Sequence, residues 1–125
     1  MHRIGFASRK HFLMNIFTLP QNFSPEKPPP IVEQVDTLYR QNGVTVERIL
    51  SRGHTTGWQT LKADEWVVLL TGEADIEFAN GEIVTLGMGD TLLLPAGTRH
   101  RVARTTECVW LCVHVARPDP PEISG

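Results

Sequence analysis

The sequence lacks an apolar run of membrane length. A spanning helix needs ~20 consecutive apolar residues, and the longest runs here, 66–70 and 109–113, are of strand length. It also lacks a basic stripe. Its 12 Lys and Arg stand against 14 Asp and Glu, a formal net charge of −2, so no nucleic-acid partner and no membrane partner are expected. No long stretch sustains helical periodicity. Cysteine is scarce: Cys108 and Cys112 are the two present. Four positions apart on one strand, their Cα atoms would stand ~13 Å apart, beyond disulfide reach. They read either as a reactive or metal-binding thiol pair or as buried structural cysteines. We prefer the second reading, which implies a reducing, cytoplasmic location.

What is present suits one small domain. The 125 residues are 41% hydrophobic and 21% charged, an ordinary globular balance with enough chain to bury a core unaided. Residues 1–13 hold His2, Arg3, Arg9, Lys10 and His11 and no acid. Basic composition without an apolar stretch reads as a floppy extension, or as a start codon assigned too early. Met14, followed by Asn15-Ile16-Phe17-Thr18-Leu19, looks like the beginning of the domain. Residues 20–30 contain five prolines, which predicts an extended arm that lies across the domain, reaches a partner subunit or stays solvated. The expected organisation is an N-terminal extension and Pro-rich arm over 1–30, a β domain over 31–116 and a flexible tail over 117–125.

From residue 31 the chain reads as short strands cut by turns. The apolar positions Ile31, Val32, Val35, Leu38 and Tyr39 are spaced more like a helix than a strand. The segment is short and rich in β-branched residues, so an irregular strand is expected. Gln41-Asn42-Gly43 predicts a tight turn. Strands follow over 44–50, 65–70, 74–78, 82–86, 91–94 and 109–115, giving six or seven in all. Such a series means a sandwich, a jelly roll or a closed barrel.

Two blocks narrow that choice. The first runs Gly53, Gln59-Thr60-Leu61, Glu65, Gly72. The second runs Gly89, Pro95-Ala96-Gly97, His100, Arg104, and sixteen residues separate Gly72 from Gly89. In order and spacing they resemble the two signature motifs of the cupin superfamily. Glu65-Trp66, Trp58 and Arg99-His100-Arg101-Val102 further resemble a branch of small single-domain bacterial cupins. The resemblance implies an all-β double-stranded β-helix, a jelly-roll barrel, with Glu65 and His100 on different strands facing one interior. Pro95 and Gly97 stop one strand and turn the chain, so that His100 begins the next. Arg99 and Arg101 then point away from the interior.

The resemblance also implies a divalent metal (Zn, Mn, Fe or Ni) held by two motif-1 histidines, the glutamate and the motif-2 histidine. Here the two histidine positions carry Gln59 and Leu61, and Arg104 replaces an asparagine. Leu61 cannot coordinate, and Gln59 offers only a weak neutral oxygen. The candidate metal set is therefore Glu65, His100 and Gln59, with His54 or His114 as substitutes, or no metal at all. A carboxylate and an imidazole in an apolar barrel are expected to pair, either as general acid and base or as a structural ion pair.

The candidate ligand-binding residues are Trp58, Gln59, Glu65 and His100, with Trp58 as a stacking platform or a lid hydrophobe. The preferred expectation is a homodimeric cupin that binds a small molecule. The alternatives are a metal-dependent dioxygenase or isomerase, a metal-free epimerase-like enzyme in need of a second base opposite His100, and a structural dimer with a vestigial pocket.

Overall fold

The computed structural model describes residues 11–118. The expected extension over 1–13 and the tail over 117–125 lie outside them, apart from 11–13 and 117–118. Among the described residues the regular structure is β apart from one 3-10 turn at Gln21–Phe23. Nine strands form: β1 (Gln34–Gln41), β2 (Val44–Arg52), β3 (Gln59–Thr60), β4 (Ala63–Thr71), β5 (Ala74–Phe78), β6 (Ile83–Leu86), β7 (Thr91–Leu94), β8 (Arg99–Thr105) and β9 (Glu107–Ala116). Among the described residues no helix is long and apolar enough to cross a membrane.

The strands make two antiparallel sheets, ordered β1-β2-β9-β4-β7 and β3-β8-β5-β6. This is the expected jelly roll, with its two sheets not joined edge to edge by a continuous ladder. Strand alternation sorts the side chains. In the larger sheet Ile49 faces Trp110, Trp110 faces Leu69, and Cys112 faces Val67 across the ladders. These pack with Ile76 and Leu86 of the smaller sheet in one core. Trp110 is buried and donates its indole N–H to Ser51 Oγ at 3.2 Å.

The helix-like spacing at the start of the domain has a local cause. β1 is a strand, but its register against β2 shifts between Thr37 and Tyr39, leaving Leu38 unpaired. A bulge resets the side-chain alternation and blurs period two in the sequence. Asn42 and Gly43 both have positive φ, 48° and 78°, as a two-residue hairpin turn requires.

The proline-rich arm lies across the outer face of the larger sheet. Phe23 is buried against Leu50 and Val109, with Ile16 and Leu70 packed beside it. Arg48, outward on β2 yet 5% exposed, holds the arm in place. Its guanidinium donates to the carbonyls of Ile16 (3.1 Å) and Thr18 (2.7 Å) and pairs with Asp36 at 2.6 Å. Arg52 donates to the carbonyls of Ser24 and Lys27 in the same way.

Candidate ligand-binding site

Both sheets contribute to one cavity of about 500 Å³. Its apolar lining includes Ile49, Val67, Ile76, Leu94 and Val102, and its polar lining includes Glu33, Glu47, Glu65, Gln59, His100 and His114. Glu65, on β4, and His114, on β9, are directly opposed across the ladder. Gln59 and His100 are opposed in the same way on β3 and β8 of the other sheet.

Glu65 and His100 therefore face one interior from opposite walls. The expected pair between them is replaced by another. Glu65 Oε2 lies 3.3 Å from His114 Nε2, and Glu47 Oε1 reaches the same nitrogen at 3.1 Å. A single imidazole nitrogen is shared by two carboxylates. Burial pushes the Glu65 carboxyl above the usual carboxylate range; His114 pulls it down and Glu47 pushes it further up.

His100 is 4% exposed, and its Nδ1 has no hydrogen-bond partner in the protein. Burial pushes its pKa down, opposed in part by the nearby Thr98 backbone. The neutral imidazole is favoured, with one polar atom unsatisfied. Leaving such an atom buried and unpaired costs about 1–3 kcal/mol.

The other candidates lie elsewhere. His54 is tied into the chain: its Nδ1 accepts from the Arg52 N–H at 2.8 Å, and its Nε2 donates to the Pro30 carbonyl at 2.6 Å. It is a structural residue outside the cavity lining, not a substitute ligand. Trp58 also lies outside the lining. Arg101 sits over its ring at 4.6 Å and Arg99 at 5.7 Å, while Arg101 pairs with Glu77 at 2.7 Å. Trp58 thus belongs to a cation–π stack rather than to the pocket. Arg104 bridges Glu73 and Asp75 at the surface. Cys108 and Cys112 are free and buried, and desolvation pushes both thiols up, away from the reactive thiolate.

The donor set does not fit the metal of metal-bearing cupins. Leu61 lines the cavity where that set has a histidine. Among the described residues no three His, Cys, Asp or Glu side chains are grouped to hold a metal ion. Glu47 and Glu65 each place one carboxylate oxygen on the same His114 Nε2, a hydrogen-bonded trio rather than a set of donors converging on an ion. Glu47 escaped notice in the sequence. Its one signal was alternation with Thr45 and Ile49 on a strand whose inner face the sequence left unassigned.

A two-sheet jelly roll with a polar-tipped cavity between its sheets is the cupin architecture. Residues 47–114 match the cupin domain family model, and the chain belongs to that family. A Ralstonia eutropha protein of known structure, provisionally named a mannose-6-phosphate isomerase, is 34% identical; the alignment covers 87% of this chain and all of that one, with a TM-score of 0.73. A cupin superfamily protein from Desulfitobacterium hafniense shares the fold at 20% identity and a TM-score of 0.63, over 80% of this chain and all of that one. Among curated proteins, Bacillus subtilis YdbB, itself uncharacterized, is 41% identical over 51 residues. That stretch is 41% of this chain and spans just under half, 45%, of YdbB.

Proposed function

We propose that this cupin binds a small polar molecule in the cavity between its sheets. The observation that carries the reading is His100, buried with an unpartnered Nδ1, in the lining of a cavity whose opposite wall holds Glu65 and Glu47. A concave pocket that combines apolar walls with convergent polar groups is the usual form of a small-molecule site. A fragment screen followed through the His100 side-chain resonances tests it. Binding that shifts those resonances and weakens in His100→Ala is expected; hits that persist unchanged in the variant would overturn it.

On this reading the 31–116 region is the binding domain, and the arm, where it is described over 11–30, a cover for its outer sheet. We also propose a homodimer formed through the part of the larger sheet's outer face that the arm leaves bare. There Tyr39, Trp66, Leu93 and Val115 are exposed, an apolar stripe of the kind that subunit contacts cover. The two free cysteines support a cytoplasmic setting. The isomerase name of the Ralstonia relative makes an isomerase a second reading, favoured by the acid–base groups on opposite walls of one cavity.

A further inference from the structure

We infer that the cavity selects a small organic cation, an ammonium head on a short apolar tail, over neutral and anionic molecules. This rests on the cavity being a binding site, as proposed above.

Three carboxylates line the cavity: Glu33, Glu47 and Glu65. Two positive groups oppose them. Lys62 lies exposed in the connection between β3 and β4, where water screens its charge. His114 stands between Glu47 and Glu65 and carries at most one charge for the two. Glu33 receives one hydrogen bond, from the uncharged Ser51 hydroxyl at 3.2 Å. The carboxylates of the lining thus outnumber the cationic groups that face them, with His114 as the one such group between them.

His100 provides the second, independent sign of a ligand. It is buried, carries an unpartnered ring nitrogen and lines the cavity on the wall opposite the carboxylates. A neutral imidazole keeps one ring nitrogen with a lone pair that accepts an N–H, so the ring can share an ammonium group with the carboxylates. Ile76 and Val102 on the same sheet offer apolar surface to a short tail. A phosphate or carboxylate head would instead add negative charge beside three carboxylates, in a setting where like charges repel more strongly than in water.

Three isosteric probes isolate the head group: n-butylamine, 1-butanol and butyrate, titrated at neutral pH into the isotope-labelled full chain and followed by NMR. The amine is expected to shift the resonances of Glu65, His100 and Val102 and to bind roughly tenfold more tightly than the alcohol, with butyrate weakest. Glu65→Gln should bring the amine down toward the affinity of the alcohol. Glu33→Gln leaves the Glu47–His114–Glu65 contacts intact and should lower amine affinity in the same direction, which guards against a folding defect in the first variant. Alcohol or butyrate binding as tightly as the amine would overturn the selection by charge while leaving the cavity a binding site. Failure of every probe to shift cavity resonances would overturn both the inference and the reading beneath it.

Discussion

Glu65 and His114 are cross-strand neighbours, and the 3.3 Å between Oε2 and Nε2 is matched by Glu47 on the other side of the same nitrogen at 3.1 Å. The imidazole is the insulation between two carboxylates. Removing it leaves two like charges facing each other in a half-dry space.

His114→Ala is therefore expected to lower stability by about 1–3 kcal/mol, the range for leaving partly buried polar groups without their hydrogen-bond partner. Glu47→Gln in that background should restore part of the loss, because it removes the repulsion. Urea unfolding of the single and double variants measures both. A His114→Ala midpoint equal to wild type would refute the account.

Titration of His100 gives a signed pH effect. Its folded pKa lies below the unfolded value of 6.5. Its contribution is fully present above pH 6.5 and is lost as pH falls from there through the folded pKa, because the unfolded chain takes the proton first. Glu65 runs the other way. Its folded pKa is raised above 4.5, so its contribution is present below 4.5 and is lost as pH rises through the folded value. Thermal midpoints measured from pH 7 downward should fall less steeply in His100→Gln than in wild type. Identical slopes would remove His100 as the cause.

Much of the fold was legible because strands with one buried face write period two into the sequence. The segments at 74–78 and 91–94 have those bounds in the structure. Two features resisted. The bulge at Leu38 broke the alternation that identifies a strand, and β3 has only two residues, too few for any period. At the site, motif spacing found Glu65 and His100 and brought Gln59 to the cavity. It misassigned the partner of Glu65, because Glu65 and His114 meet only through the pairing of β4 with β9. Local pattern carries no record of which strands become neighbours. Aromatic character alone does not tell a pocket residue from a surface stack: Trp58 lies outside the lining, with Arg101 4.6 Å over its ring.

Gly72 is the glycine of the first motif that backbone sterics fix most firmly. Its φ is 90°, and a Cβ there would meet the Glu107 carbonyl oxygen at 2.1 Å and Cys108 Sγ at 2.8 Å. At Gly89 φ is also positive, yet a Cβ meets nothing within 4 Å. Gly72→Ala is expected to cost more than about 3 kcal/mol, and Gly89→Ala about 1 kcal/mol from backbone strain alone. Denaturant titrations of the two variants decide. Equal costs would show that the close approach is relieved elsewhere.

The metal question is testable by restoring what the motif lacks. Gln59 and Leu61 both line the cavity with Glu65 and His100. The double variant Gln59→His, Leu61→His supplies two imidazole nitrogen donors beside a carboxylate and an imidazole, the three or four ligands a transition metal needs. Elemental analysis of tag-free protein should find well below one metal per wild-type chain and close to one per double-variant chain. Near-stoichiometric metal in wild type, lost in Glu65→Ala, would reverse the assignment.

Leu61 holds its place with its main chain. Its N–H donates to the Thr98 carbonyl at 3.2 Å, and its own carbonyl accepts from the Gly97 N–H at 2.8 Å, stitching the first motif to the turn of the second. Neither bond depends on the nature of the side chain. At this position architecture is written in the peptide and chemistry in the substituent. The reactive character of the chamber can therefore be rewritten one residue at a time while the walls stay where they are.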